Sequence, residues 1–240
     1  PAFPGAEPEG FTRWLGRAAV FFAVVMLLYL FLHSPFFAVQ QIEVRGTSLL
    51  TPQEVIRLSG LSARDNVLLV DTQRVRRRIL EDPRLGEVRV RRMPPGKMII
   101  EVEERVPVAL LPYADGFLFV DPEGRLIAAD RRSRPGLPII TGVPLDRVGM
   151  HLPPPDGLLI AARVAHYLPP HLREQIAEIH VSPNQEVTLF TLSGIPVLYG
   201  EPTDLEQKGA ILASLLQELG TGGVVSFDLR VPQAPAVRRR

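Results

Sequence analysis

The sequence predicts an α+β protein with an N-terminal transmembrane helix, then a small module of order strand, helix, helix, strand, strand, and finally a larger mixed β-rich domain with two helices. Three observations predict this organisation. One long run near the start is apolar and uncharged, short segments of alternating apolar and polar residues recur after it, and several segments carry helix N-terminal signals just before an apolar stripe. A chain of 240 residues is long enough for one large or two modest domains.

The predicted transmembrane helix covers residues 18–37. No Asp, Glu, Lys or Arg occurs between Ala18 and Ile42, and the stretch from Ala18 to Leu32 is apolar without interruption. A run of about 20 such residues matches the thickness of a bilayer hydrocarbon core. A buried soluble helix is a poorer explanation because the run is so long, and the bulky segment FLHSPFFAV lacks the small residues of a signal-peptide cleavage site.

Residues 1–17 are predicted to form a short N-terminal stub, which the family resemblance described below implies is cytoplasmic. The head PAFPGAEPEGFT is rich in Pro and Gly and does not begin with Met, so it is expected to be a flexible segment or a trimmed tail. Arginines occur in similar numbers on both sides of the apolar run, and the positive-inside rule therefore gives almost no preference for either orientation.

The small module is predicted over residues 38–105. The segment VQQIEVRG has the alternation of a short strand. A first helix is expected after Thr51, because Thr51 and Glu54 form a capping box and Pro52 suits the first helical position. Asp71 is expected to cap a second helix, whose arginines lie on its solvated side.

A hairpin is predicted to close this module, with its turn at Pro94, Pro95 and Gly96. One register places the apolar residues on a single face and sets the basic residues opposite acidic ones. The cross-strand pairs expected from it are Val88 with Val102, Val90 with Ile100, and Arg89 with Glu101.

The larger β domain is predicted over residues 106–232, with strands in PVALLP, GFLFV, RLIAA, LPIITG, AEIHV, EVTLF, IPVLY and VVSFDLRV. Asp156 is expected to cap one helix that runs to Tyr167. Thr203 and Glu206 are expected to form a capping box for another, which ends at Gly220. Residues 233–240 are predicted to be a flexible tail.

The sequence gives no support for catalysis, a cofactor or a metal site. Cysteine is absent, the five histidines are scattered, and no nucleophile elbow or phosphate-binding loop occurs. A metal pair at His166 and His171 is a remote alternative. The two lysines, Lys97 and Lys208, are expected to be too exposed for their pKa to be lowered. The chain is therefore predicted not to be an enzyme.

Nucleic-acid binding is also not predicted, although eight arginines occur between residues 74 and 92. The formal net charge is only +1, and these arginines are divided between a helix and a hairpin without interleaved aromatic residues. The function of a membrane-anchored DNA regulator is therefore ranked third, after the two functions given below.

The order of these parts resembles the FtsQ/DivIB family of bacterial cell-division proteins. The resemblance is carried by one membrane helix, a module that begins FFAVQQIEVRGTSLLTPQEV, a β domain with GFLFVDPEGRLI and LPIITG, and the ending SFDLRVPQAPAVR. It implies that the module is a POTRA domain and that the chain is a non-enzymatic scaffold, single-pass in the cytoplasmic membrane, with its N-terminus inside and its bulk outside, at the division septum. The implied partners are FtsB/DivIC-like and FtsL-like proteins, other divisome components and membrane lipid around the span.

The resemblance also implies a partner site on the last strand, where a partner strand would add to the sheet edge. The implied residues are Ser226, Phe227, Asp228, Leu229, Arg230 and Val231. Phe227 and Leu229 could equally be core residues, and Val231 stands where the family often has an aromatic residue. A second possible partner face, on the POTRA module, consists of Arg74, Arg77 and Arg78. The alternative function is that of a POTRA-containing membrane translocation or secretion component.

Overall fold

The structure is a computed structural model that describes residues 9–144, 148–149 and 152–240. The chain forms two compact units that meet in sequence between Glu104 and Arg105. The predicted stub falls partly outside the described residues, because residues 1–8 are not among them. Residues 9–17 are helical.

The first helix, α1, spans Glu9–Leu32. Its segment Trp14–Leu32 has a mean hydropathy of 2.3 and no buried residues, so it is long and apolar enough to cross a membrane. The helix begins and ends earlier than the predicted range 18–37. It stops because Pro35 cannot continue an α-helix, and residues Pro35–Phe37 form a 3-10 turn capped by Ser34 instead.

A three-stranded sheet and two helices make up the rest of the first unit. The strands are β1 (Gln41–Arg45), β2 (Leu85–Met93) and β3 (Lys97–Glu104). β3 is central, parallel to β1 and antiparallel to β2. The helices are α2 (Pro52–Ser59) and α3 (Thr72–Ile79), and their apolar residues share one core with the sheet.

The predicted local features of this unit are confirmed. Thr51 and Glu54 form the capping box of α2, with Thr51 Oγ1 accepting from the Glu54 backbone N–H at 3.3 Å. The Asp71 carboxylate caps α3. The three hairpin pairs predicted from the alternation all occur in the register of β2 and β3. The element order is therefore the predicted β-α-α-β-β.

The second unit is built on a nine-stranded sheet, whose spatial order is β12, β11, β10, β9, β8, β7, β4, β5, β6. All eight predicted strands are present in it. The strands are β4 (Ala109–Tyr113), β5 (Gly116–Val120), β6 (Leu126–Asp130), β7 (Ile139–Thr141), β8 (Ile176–Val181), β9 (Val187–Thr191), β10 (Pro196–Gly200), β11 (Val224–Asp228) and β12 (Ala236–Arg239).

The helices of this unit are α4 (Asp156–Tyr167), a short α5 (Pro170–Arg173) and α6 (Leu205–Leu219). Two predicted caps are wrong. Pro155, not Asp156, is the N-cap of α4, and Asp204 in a left-handed conformation, not Thr203, is the N-cap of α6. The sequence signal failed at Thr203 because the chain enters α6 one residue later, which moves its hydroxyl out of the capping position.

The expectation for Lys208 is also wrong. This α6 residue is 1% exposed, and its ammonium donates to the backbone carbonyls of Tyr199 at 2.9 Å and Glu201 at 2.8 Å. Burial lowers the pKa of Lys208, against the opposing effect of Asp204 and Glu201. Lys208 thus ties α6 to the end of β10, and within the described residues its ammonium contacts no hydroxyl nucleophile.

Candidate functional site

The strand that the sequence predicts as the binding edge is β11. It pairs in parallel with β10, where Val197 is opposite Phe227, and antiparallel with β12, where Phe227 is opposite Val237. β11 is therefore the second strand of the sheet, and the edge belongs to β12. The prediction of a flexible tail over 233–240 is wrong for this reason: residues Ala236–Arg239 satisfy the outer hydrogen-bonding groups of β11.

Two of the six predicted site residues are core residues. Phe227 and Leu229 have no exposed surface, and the Leu229 backbone N–H donates to the Leu198 carbonyl at 2.8 Å. Their side chains pack inside the unit and cannot contact a partner directly. What they contribute to the site is a fixed position for the backbone of β11, from which a partner strand could take its hydrogen bonds.

The polar residues of the site form a short ion pair at the end of β11. Arg230 Nη2 lies 2.6 Å from Asp228 Oδ2, and its Nε lies 3.0 Å from Oδ1. The guanidinium lowers the pKa of Asp228, and the carboxylate in turn raises the pKa of Arg230. Ser226 is half-buried, whereas Val231 is 56% exposed. Arg230 and Val231 are thus the most accessible members of the predicted set.

The strand that covers β11 is short and mostly exposed. β12 has four residues, of which Ala236, Arg238 and Arg239 are exposed. Only Val237 packs against the core, and a register shift between Val224 and Ser226 interrupts the pairing. Few apolar contacts and an irregular ladder are the properties of a segment that opens at low cost in free energy.

The predicted arginine face on the first unit is divided by the structure. Arg74 and Arg78 line a pocket, together with Arg64 of the loop between α2 and α3, whereas Arg77 does not. Arg64 was missed by sequence reasoning because it belongs to no periodic segment, and only the folding of the loop brings it near α3.

Residues suited to metal binding are not brought together in the part of the chain that the structure describes, where no group of three or more His, Cys, Asp or Glu side chains could hold an ion. The ionic contact at the start of the second unit, between Arg105 and the buried Asp121, is made of a base and an acid that satisfy each other.

Two family models match this chain. Residues 37–105 match the POTRA domain of FtsQ type, and residues 109–230 match the C-terminal domain of cell division protein FtsQ/DivIB. The second match alone covers half of the 240 residues.

Several relatives carry the name Cell division protein FtsQ. The protein of Streptomyces bingchenggensis is 30% identical over 217 residues, which is 89% of this chain and 80% of the relative. The protein of Streptomyces griseus is 29% identical, over 85% of this chain and 98% of the relative. The protein of Mycolicibacterium smegmatis is 27% identical over 94% of this chain, which spans 64% of that relative's length.

One solved structure is similar over part of the chain. It is the major extracytoplasmic domain of the cell division protein DivIB from Geobacillus stearothermophilus, with 20% identity and a TM-score of 0.35. The match covers 49% of this chain and 98% of that one.

Proposed function

The chain belongs to the FtsQ/DivIB family of cell division proteins, and from that premise we propose that it is a non-enzymatic scaffold of the divisome. It binds FtsB/DivIC-like and FtsL-like partners through its β domain and helps to recruit septal cell-wall synthesis. The match of residues 109–230 to the C-terminal domain of this family favours the division role over that of a translocation component.

In this proposal α1 anchors the chain in the cytoplasmic membrane. The 19 residues from Trp14 to Leu32 are apolar enough to span it. The N-terminus lies in the cytoplasm and both folded units lie outside, with the protein concentrated at the septum. The family relation supports this orientation, and the arginines on either side of α1 do not decide it.

The observation that supports the proposal is that a four-residue strand at the sheet edge, β12, covers the outer side of β11. A partner strand that displaces β12 would take over the backbone pairing that β12 makes along residues 224–228, and it could add side-chain contacts that the short β12 lacks. Arg230 and Val231 stand at the exposed end of β11, where such a strand would extend beyond the position of β12. In the free chain β12 then occupies the position that the partner strand takes in the complex.

Deletion of residues 233–240 tests this. Without β12 the edge of β11 is open, and we expect the affinity for the FtsB/DivIC-like protein of the same genome to rise about tenfold, since the partner no longer displaces a strand held by a few cross-strand pairs. The measurement is biolayer interferometry with the full chain and the deletion variant in detergent micelles. The variant Arg230→Glu, which reverses the charge at the exposed end of β11, is expected to weaken capture at least tenfold in the same assay.

The deletion also removes three positive charges, so the matched control keeps the strand and removes only the charge. It carries Arg238→Gln, Arg239→Gln and Arg240→Gln and is expected to bind like the parent chain. Loss of capture on deletion would mean that β12 is itself the platform for the partner, and it would overturn the displacement proposal.

A further inference from the structure

A pocket of about 530 Å³ lies in the first unit between the end of α2 and the start of α3. Gly60, the C-cap of α2, forms one side of it, and the loop with Arg64 forms another. The third side is the first two turns of α3, which contribute Arg74 and Arg78. The pocket thus gathers three guanidinium groups from two separate segments.

These three guanidinium groups have no anionic partner among the residues that the structure describes. Arg45, Arg84, Arg89 and Arg91 of the same unit all form ion pairs, and Arg76 and Arg92 donate to backbone carbonyls. Within the described residues the guanidinium groups of Arg64, Arg74 and Arg78 form no ion pair or hydrogen bond. The backbone N–H groups of Arg64 and Arg74 donate to Ser62 Oγ and Asp71 Oδ1.

The two carboxylates in the pocket wall are occupied elsewhere. Asp65 accepts from the backbone N–H of Ser62 at 2.7 Å and from its hydroxyl. Asp71 accepts from the backbone N–H groups of Gln73 and Arg74, and these bonds lower the pKa of Asp71. Hydrogen bonds from neutral groups leave both carboxylates negative, so the pocket wall combines three guanidinium groups with two carboxylates and has an excess of one positive charge for a ligand from outside.

The glycine in the wall makes room for one of these groups. Gly60 has a φ of +65° as the left-handed C-cap of α2, and a Cβ at this position would lie 2.5 Å from Arg78 Nη1. The guanidinium of Arg78 therefore rests against the glycine backbone, where a larger residue would displace it.

The loop that lines the pocket is hydrogen-bonded to the C-terminal end of α1. Asn66, which also lines the pocket, donates from Nδ2 to the Leu32 carbonyl at the last residue of α1, at 2.6 Å. The Val67 backbone N–H donates to the Phe37 carbonyl at 2.8 Å. Leu69 in the pocket wall is 56% exposed. Arg64 thus belongs to the loop that is bonded to the exit of α1, and Arg74 and Arg78 belong to the helix that follows this loop.

We propose that this pocket binds the phosphate of an anionic phospholipid headgroup, in the leaflet at the C-terminal end of α1. Guanidinium groups bind phosphate oxygens with two parallel hydrogen bonds, and basic groups beside a membrane helix attract anionic lipids. Inorganic phosphate has the same chemistry, but the exposed Leu69 and the bond to Leu32 favour a ligand that stays in the membrane. The inference rests on the proposed membrane span and is independent of partner binding.

The test uses the full chain in nanodiscs of phosphatidylcholine and phosphatidylglycerol in equal amounts, followed by native mass spectrometry of the released protein. We expect the chain to retain phosphatidylglycerol in preference to phosphatidylcholine. The variant with Arg64→Gln, Arg74→Gln and Arg78→Gln should retain at least about tenfold less phosphatidylglycerol, since each arginine beside a membrane contributes to anionic-lipid binding.

The matched control removes the same charge from a loop of the second unit, by Arg131→Gln, Arg132→Gln and Arg134→Gln, and should retain the lipid like the parent chain. Equal loss of lipid in both triple variants, or no preference for phosphatidylglycerol, would overturn the proposal that this pocket binds an anionic phospholipid. Displacement of the lipid by millimolar inorganic phosphate would show that the pocket binds free phosphate, and it would overturn the proposal of a lipid ligand. Failure of the chain to enter nanodiscs would overturn the span itself, and circular dichroism of each variant controls for folding.

Discussion

The two units each hold a loop in place with one charged side chain bonded to backbone, and they use opposite charges. In the first unit the Glu104 carboxylate accepts from the N–H groups of Ser48, Leu49 and Leu50, at 2.8 to 2.9 Å. In the second unit the Lys208 ammonium donates to the carbonyls of Tyr199 and Glu201.

The balance between burial and hydrogen bonding differs between the two. Burial tends to raise the pKa of Glu104, but three backbone donors together outweigh it, and the pKa is lowered. For Lys208 burial is the largest effect and lowers the pKa, so the charged form is disfavoured in the fold. The comparison teaches that a half-buried carboxylate with three donors favours its charge, whereas a fully buried ammonium does not regain the cost of leaving water.

Replacement of Lys208 by Met tests the larger of the two effects. It leaves two backbone carbonyls without their donor in a buried site, and we expect a loss of about 2–3 kcal/mol in the free energy of unfolding of the second unit. Because the folded-state pKa of Lys208 is lowered, the unfolded state binds more protons, and the stability of the parent chain rises with pH up to the unfolded pKa of about 10.4. That rise should be absent from the variant.

The urea midpoint of each unit, measured by pulse proteolysis with mass spectrometry, checks both expectations. Gln207→Met is the matched control, because Gln207 is the exposed neighbour of Lys208 on α6. A gain in stability for Lys208→Met would show that burying the ammonium costs more than its hydrogen bonds contribute.

Glu104→Gln tests the other side of the comparison. It replaces one of the two accepting oxygens by a donating NH2 group, so the hydrogen bonds that remain at the loop of residues 48–50 are neutral and at least one N–H loses its acceptor. We expect a loss of about 1–2 kcal/mol, confined to the first unit. The lowered pKa of Glu104 means that its contribution is fully present above the unfolded value of about 4.3 and is lost as the pH falls through the folded value.

The stability that the first unit loses on acidification should therefore be smaller in Glu104→Gln than in the parent chain. The urea midpoint of the first unit between pH 6 and pH 3 measures it. Glu103→Gln, at the adjacent exposed position, is the control and should keep the parent's pH dependence. If both variants lose the same stability, the three hydrogen bonds are not what fixes this loop.

An exposed pair on the same sheet should show the smallest effect. Arg91 Nη2 lies 3.2 Å from Glu101 Oε2, with the Arg91 side chain 61% and the Glu101 side chain 28% exposed. Exchange of the two residues, Arg91→Glu with Glu101→Arg, should change the free energy of unfolding by about 0.5 kcal/mol or less, because exposed ion pairs are screened by water and salt. Each single reversal should cost more than the exchange, and a double-mutant cycle in urea checks this. Equal costs for the exchange and for the sum of the reversals would show that the two charges are not coupled.

Local features of the fold could be predicted from the sequence with good success. The capping box at Thr51 and the hairpin register about Gly96 depend on residues within a few positions of each other or on simple alternation, and both are confirmed. The capping box predicted for α6 is wrong because the helix begins one residue later, with Asp204 in a left-handed conformation as its N-cap. The partner residues remain a proposal. Their strand forms but ends at Asp228, and it is not the edge strand that was predicted, because β12 pairs outside it.

The sequence by itself determined the type and order of the elements, because the period of its apolar residues reports which face of each helix or strand is buried. Only the tertiary structure decided which elements become neighbours. It covered β11 with the C-terminal strand, buried Lys208 against the end of β10, and brought Arg64 to Arg74 and Arg78. The physical reason is that backbone hydrogen bonds between distant segments carry no signature in local periodicity, so any segment with open N–H and C=O groups can satisfy an edge once the fold brings it there.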